Sequence, residues 1–378
     1  MSAIRPSLPA PTGLPSMAAL ALLGACLAGC ATTADAPGQG QEVLLAPSIA
    51  SVSGPTGWSM LIQGRIFEPP EGSSGRQALI DALAPAMGAD PTDALYRARA
   101  GYFVSDSIRN ARISVSIGDR IVPLPPSDPA GCIAGEVRLS NDEVQRLSRD
   151  GVITFTTLST PANATRFPGT AMLVPEDGLI VVTDMDDTIK DTHVLDRTEA
   201  KANTFVRPFR PVAGMPELYR AWQQAAGPRI HFHVVSAGPW QFHEPLRRFT
   251  EGAGFPASTW DMRSVDITDP RVLVDETLKA DPKRLYDFKV SRIRALMERL
   301  PKRHFVLVGD SGERDPEVYA TIVSEFPDRV DAVFIRNVTA EGQGAPRYAR
   351  LYPTARAIGK LKVFADPGEL PRRLGEAR

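Results

Sequence analysis

The sequence predicts a doubly wound, parallel α/β sheet of Rossmann-like type, preceded by a smaller all-β, sandwich-like domain. Three observations predict it. Upstream of about residue 175, short runs alternate with period two between Pro- and Gly-rich turns. Downstream, apolar β-branched runs alternate with segments of helical period. Three downstream runs turn polar just past their last apolar position, at Asp184, Ser236 and Asp310. Strands of open α/β sheets end that way where they bind ligands.

The chain has 378 residues, enough for two domains. Its net charge of −1, with 23% charged and 43% hydrophobic residues, is ordinary for a globular protein. That balance excludes the basic character of a nucleic-acid binder, so no nucleic-acid partner is expected. The 34 prolines crowd residues 1–75 and 122–129, where long loops and edge strands are expected.

Residues 1–30 read as targeting rather than fold. Met17 to Cys30 is an apolar run of small residues, shorter than the roughly 20 a membrane-spanning helix needs. It suits the core of a signal peptide. Leu27-Ala28-Gly29-Cys30 resembles the bacterial lipobox, whose cysteine is diacylated and becomes the new N-terminus; Cys26 is a poorer match. Lipidation at Cys30 would anchor the protein to a membrane of the cell envelope (the periplasm or outer membrane in a Gram-negative cell). A plain secretory signal and an N-terminal hydrophobic anchor are the alternatives. Residues 31–42 hold few apolar side chains and are expected to form a flexible tether. Only Cys132 remains beyond them, so no disulfide framework is expected. That thiol should be a small buried or half-buried side chain.

The β-rich domain is expected over 43–175. Ser59 to Phe67 holds apolar runs broken by polar residues. Ala111 to Ile117 alternates, turns at Gly118-Asp119 and continues into Arg120-Ile121-Val122, a hairpin signal. Gly151 to Thr157 alternates again. Residues 76–97 interrupt the pattern as one helical segment. This half shows no catalytic constellation, and its expected role is structural or substrate-presenting.

The α/β domain is expected over 176–345, with 346–378 as its C-terminal extension. Strands are read at Leu179–Thr183, Ile230–Val235, His304–Val308 and Val330–Ile335. Helices are read at Met215–Ala225, Gln241–Thr250, Asp287–Arg299 and Asp315–Glu325.

Parallel strands gather Asp184, Asp186, Ser236, Asp310 and Asp315 at one sheet edge, with Lys289 near the start of a helix beside them. Asp184, Asp186 and Asp187 repel one another unless a cation offsets their charge. Hard oxygen ligands without a histidine cluster suit Mg²⁺. A metal-held carboxylate is a competent nucleophile at phosphorus. A second carboxylate two residues on can shuttle a proton, and a lysine neutralises phosphoryl oxygens. The set fits phosphoryl transfer through an aspartyl-phosphate. Asp187 is read as a local hydrogen-bonding residue. His231 and His233, alternating along one strand, are read as core or sheet-face residues rather than metal ligands. His193 and His243 fall near the acidic and Ser236 stretches and are candidates to line the cleft. Arg207 and Arg210 are candidates to meet phosphate, against a solvated loop. Trp240 stands between a place at the cleft rim and packing.

The same residues carry a family resemblance. Asp184-x-Asp186-x-Thr188 resembles motif one of the haloacid-dehalogenase superfamily. Ser236 resembles motif two, Lys289 motif three, and Gly309-Asp310-x-x-x-x-Asp315 motif four. More narrowly, Thr183 to Thr192, Val235 to Gln241 and Val308 to Tyr319 look like the catalytic domain of the actin-patch-associated phosphatidate phosphatase family, over about 175–345. The resemblance implies a haloacid-dehalogenase-like fold and a Mg²⁺-dependent phosphatase. Asp184 would be nucleophile and metal ligand. Asp186 would be general acid, then base, and a ligand through its main-chain carbonyl. Asp310 would bind the metal and Asp315 would support the site. Thr188 and Ser236 would hold the phosphoryl group, and Lys289 would hold charge on nucleophile and phosphate. The implied substrate is phosphatidate, a phospholipid phosphomonoester. A phosphatase of soluble metabolites or phosphoproteins, and an idle membrane-surface lipid- or peptide-binding module, are the alternatives. Much of the chain between Asp184 and Ser236, and between Ser236 and Lys289, is needed for scaffold helices and strands. Little or no cap, and an open site, are therefore expected.

Overall fold

The computed structural model describes residues 36–55, 57–266 and 281–375. The signal segment with Cys26 and Cys30, and the first residues of the tether, lie outside the described residues. From residue 36 the chain is not a free tether. Ala36 is buried and its N–H donates to the Arg112 carbonyl. Asn163 Nδ2 donates to the carbonyls of Gly38 and Gln41. Among the described residues, no helix is long and apolar enough to cross a membrane.

The upstream half carries β1 (Glu42–Ala46), β2 (Ser48–Val52), β3 (Gly57–Glu68), β4 (Asp106–Ser107), β5 (Ser114–Ile117), β6 (Arg120–Pro123), β7 (Cys132–Ser140), β8 (Ser148–Arg149), β9 (Val152–Thr157) and β10 (Pro168–Val174). β1 and β2 are parted at Pro47, which has no N–H for a ladder, and both pair antiparallel with β3. β5 and β6 form the hairpin expected at Gly118-Asp119. Among the described residues these strands form one connected, mixed ten-stranded sheet rather than two separate ones. The parallel pairing of β10 with β2 joins what hairpins alone would leave as two layers. Met60, Val115, Val137 and Phe155, from strands far apart in that order, share one apolar core.

The expected single helix over 76–97 is two, α1 (Ser74–Met87) and α2 (Ala94–Val104). Gly88, at φ 68°, ends α1 in the left-handed conformation and closes onto the carbonyls of Ala84 and Pro85. Asp93 caps α2 by accepting from the Tyr96 N–H. A short α3 (Asn141–Leu147) follows β7. The hairpin of α1 and α2 does not pack on the β sheet alone. Leu83 and Phe103 share an apolar cluster with Val181 and Met185 of the downstream half.

The downstream half carries β11 (Leu179–Thr183), β12 (Ile230–Pro239), β13 (Ser258–Arg263), β14 (His304–Asp310), β15 (Val330–Arg336) and β16 (Leu361–Phe364). They form a six-stranded sheet among the described residues, in the order β13-β12-β11-β14-β15-β16, with every pairing parallel. Its helices are α4 (Arg197–Lys201), α5 (Met215–Ala226), α6 (His243–Gly252), α7 (Pro282–Arg299), α8 (Asp315–Glu325), α9 (Pro346–Leu351) and α10 (Ala355–Ile358). The centre of β11 is buried on both faces. Ile180 and Val182 join one core layer and Val181 the other, as a run without polar alternation requires. From β11 the chain winds outward through β12 and β13, then returns to β14 on the other side. The sheet therefore reverses between β11 and β14, the position at which open α/β sheets leave a crevice. Two strands were not read in the sequence. β13 interleaves polar residues as Ser258-Thr259-Trp260-Asp261, and β16 is a four-residue edge strand.

Candidate active site

Register places the acids side by side. Thr183 pairs with Val308, so Asp184 and Asp310 leave neighbouring strand ends together. The Asp184 N–H donates to the Val308 carbonyl at 2.9 Å. Asp315 opens α8 and folds back beneath the end of β14, where its Oδ2 accepts from the Asp310 N–H at 3.3 Å. Only glycine leaves room for that: a Cβ on Gly309 would lie 2.3 Å from Asp315 Oδ2.

Lys289 is buried at the centre of this group. Its Nζ donates to Asp184 Oδ1 at 2.7 Å, to Asp315 Oδ1 at 2.6 Å and to Glu313 Oε2 at 3.2 Å. It sits in the second turn of α7, not at its start, because Asp281 caps the helix and Pro282 opens it.

The charges do not balance. Asp184, Asp310, Asp315 and Glu313 surround one ammonium. Burial, then the neighbouring acids against the opposing pull of Lys289, pushes the Asp184 carboxyl well above the usual range. Burial, Asp315 and Glu313 do the same to Asp310. Burial alone would lower Lys289, but Asp184, Asp315 and Glu313 outweigh it and hold its charge. A divalent cation fits this surplus. Asp184, Asp310 and Asp315 each offer an oxygen within 4.8 Å of the others. Both Asp315 oxygens are already engaged, by Lys289 and the Asp310 amide. Asp310 Oδ1 accepts from the amides of Gly312 and Glu313. Asp184 Oδ2 and Asp310 Oδ2 are buried and find no hydrogen-bond partner among the described residues. They are the two oxygens left for a cation, with Asp315 holding the frame.

Asp186 faces the other way, toward an apolar cavity of about 230 Å³ whose wall also includes Ser236 and Lys190. Lys190 Nζ donates to Asp186 Oδ1 at 2.7 Å and also to Thr192 Oγ1, which itself donates to Asp186 Oδ1 at 2.6 Å. Burial acts to raise the Asp186 carboxyl. The Lys190 charge, and the hydrogen bonds from Lys190 and Thr192, hold it below the usual range instead. Thr188 is fully buried and its Oγ1 finds no partner among the described residues, which leaves it for a ligand oxygen. Ser236 Oγ accepts from the Gly238 N–H at 3.1 Å, within the irregular end of β12 where its register with β13 shifts between Val235 and Pro239.

Asp187 is a loop cap. At φ 53° it accepts from the amides of Thr192, His193 and Val194. His231 and His233 are buried and share Thr259 Oγ1, with His233 also against Asp261. The two candidate cleft histidines lie elsewhere. His193 is exposed beside Asp191, and His243 is buried between Trp240 and Trp260. Trp240 is packed inside, not at a rim. Arg207 is paired with Glu199, and Arg210 is exposed. Cys132 is half-buried, and burial with Asp128 pushes its thiol up to about 11, so it is unreactive.

Little or no cap is expected from the spans between the motifs, and the upstream half also lines the site. Met87 of α1 and Phe103 of α2 line the cavity together with Phe205 and Phe209, from the segment after α4, and Phe103 packs edge-on against Phe205. Sequence reading also missed Lys190, Thr192 and Glu313. The signal for Lys190 was present: a lysine four residues after Asp186, inside the tight acidic turn.

Residues 179–337 match the family described as "Phosphatidate phosphatase APP1, catalytic domain". The chain is 29% identical over 162 residues to phosphatidate phosphatase APP1 of Saccharomyces cerevisiae, covering 42% of this chain and 26% of that one. It is 26% identical over 172 residues to an uncharacterised protein of Schizosaccharomyces pombe, covering 45% and 27%. The matched part is thus about a quarter of the length of these relatives, and the family resemblance read from the motifs holds for the α/β half.

Proposed function

We propose that the chain is a haloacid-dehalogenase-like, Mg²⁺-dependent phosphatase that hydrolyses a phosphomonoester, with phosphatidate as the substrate and phospho-Asp184 as intermediate. The observation that carries this is the buried, unpartnered Oδ2 of Asp184, with Lys289 fixed on its other oxygen and Asp186 two residues on, held by Lys190. A buried carboxylate fixed by a lysine on one oxygen and bare on the other is oriented for metal-assisted attack on phosphorus.

Asp184, Asp310 and the Asp186 main-chain carbonyl would hold the Mg²⁺, which when bound offsets the surplus acid charge and that of the phosphoryl group. Thr188 Oγ1 and Ser236 would hold phosphoryl oxygens. Asp184 attacks phosphorus as the ester P–O bond breaks, and Asp186 gives a proton to the departing alkoxide. In the resting site Asp186 is ionised beside Lys190. A phosphate dianion next to it raises its proton affinity, so it enters the first half-reaction protonated. Once the alcohol has left, the ionised Asp186 takes a proton from water, whose oxygen attacks phosphorus and breaks the aspartyl–phosphate bond, freeing the Asp184 carboxylate and inorganic phosphate. Lys289 keeps its charge throughout and neutralises the nucleophile and the transferring group.

The yeast relative supplies the substrate class, and the proposed lipid anchor at Cys30 would bring the site to a membrane. Incorporation of an alkyne-labelled fatty acid, lost in Cys30→Ala, tests the anchor. Hydrolysis of an aryl phosphate with Mg²⁺, abolished in Asp184→Asn, tests the chemistry. Acid-quenched phosphoenzyme should map to Asp184. Turnover of no phosphomonoester would sink the reading. A panel of phosphatidate, soluble phosphometabolites and phosphopeptides then assigns the substrate.

A further inference from the structure

The cavity beside Asp186 is polar at one end and apolar beyond it, and part of its apolar wall comes from outside the matched family span. Asp186, Lys190 and Ser236 form the polar end, Lys201 and Thr204 add polar groups to the wall, and Met87 and Phe103 stand on the upstream helical hairpin of α1 and α2. Phe103, Phe205 and Phe242 meet as three rings, with centroids 5.8, 5.7 and 5.4 Å apart. Those rings join the hairpin, the segment after α4 and the chain entering α6. Arg99 locks the hairpin in place. Its buried guanidinium lies 3.6 Å over the Phe209 ring and donates to the carbonyls of Thr204 and Arg207. Burying that charge costs free energy, which the two carbonyl hydrogen bonds and the ring face offset, and the contact ties the hairpin to the 204–209 segment.

We infer that this hairpin is the specificity element of the enzyme. It roofs the site so that the alcohol portion of the phosphomonoester enters an apolar vault. The inference rests on the phosphatase reading. With the phosphoryl group at Asp184 and the leaving oxygen at Asp186, the vault is the next space along the substrate. A sugar or nucleoside there would set most of its hydroxyls against Phe103, Phe205 and Phe242, with only the few polar groups of the wall to meet them. A hydrocarbon chain loses nothing and gains burial. At about 230 Å³ the vault falls below the roughly 300 Å³ at which drug-sized sites begin. It takes one chain segment, and a second chain stays outside.

The test uses the full chain with Mg²⁺ and a series of n-alkyl phosphates from methyl to dodecyl. The expected kcat/KM climbs about fourfold per methylene and levels off once the vault is filled. The chain length at which it levels should shorten in Phe103→Trp and lengthen in Phe103→Ala. Binding of the matching n-alkylphosphonates, which cannot turn over, should show the same climb and the same shifts. Turnover without chain-length dependence would overturn the vault. A levelling point that does not move in either Phe103 variant would overturn the role of the hairpin. Chain-length-dependent phosphonate binding with no hydrolysis of any phosphate would overturn the phosphatase reading and leave the vault standing.

Discussion

Lys190 Nζ lies 2.7 Å from Asp186 Oδ1, and the two groups share Thr192 Oγ1. Asp186 is the proposed proton carrier, so Lys190 positions it. Lys190→Met should lower kcat/KM on an alkyl phosphate by about 10²-fold. On p-nitrophenyl phosphate the loss should be much smaller, because that leaving group departs without a proton. Steady-state kinetics on both substrates checks this. Equal losses on the two would make Lys190 a structural residue only.

Gly309 decides whether Asp315 can fold under β14. An alanine Cβ would lie 2.3 Å from Asp315 Oδ2 and 2.7 Å from its Cβ. Asp315 must then swing out, releasing Lys289 and the Asp310 amide. Gly309→Ala should cost about 1–3 kcal/mol of stability, as overpacking does, and should lose most activity. Gly344→Ala meets nothing within 4 Å and serves as the control. Urea unfolding and turnover of both variants are the measurements.

The crowded acids make a prediction that needs no substrate. If Asp184 Oδ2 and Asp310 Oδ2 await a cation, Mg²⁺ should stabilise the fold, by about 2.7 kcal/mol at a hundredfold excess over its dissociation constant. Asp310→Asn should abolish that response. In chelator the same variant should be at least as stable as the parent chain, because it removes a buried charge that its neighbours repel. Thermal unfolding with and without Mg²⁺ reads both effects. A parent chain indifferent to Mg²⁺ would sink the metal site.

The strands that deliver Asp184 and Asp310 were legible because they are buried on both faces and so read as unbroken β-branched runs. Helix α8 was legible to its last residue, since Asp315-Pro316 opens it plainly. Ser236 was legible for the same reason as Asp184, a polar residue past the end of an apolar strand. What stayed hidden depends on packing between distant segments. Phe103 and Met87 sit in an ordinary helical stretch, and nothing local says that they roof a site built by residues 184–315. Glu313 was passed over because the loop before α8 is rich in charge, and only the fold shows which acid reaches Lys289. The β-rich half was read as strands but not as one sheet. The parallel pairing of β10 with β2 joins segments far apart in sequence, and no turn signals it.

His243 offers a prediction about pH and stability. Both its ring nitrogens are buried without a partner among the described residues, and Trp240 and Trp260 lie against it. Burial, only partly opposed by Glu244, lowers its pKa from 6.5 to about 3. The unfolded chain therefore binds a proton that the folded chain refuses between these values. Stability is full above about pH 6.5 and falls as pH drops toward 3, by up to about 1.4 kcal/mol per pH unit from this group. His243→Leu removes the titration and loses no hydrogen bond. Between pH 6.5 and 4.5 the parent chain should lose about 2 kcal/mol more than the variant, measured by urea unfolding at each pH. At pH 7 the variant should match or exceed the parent, because two unpartnered nitrogens have gone. Parallel stability curves over that window would show that His243 takes up its proton in the folded state as readily as in the unfolded one.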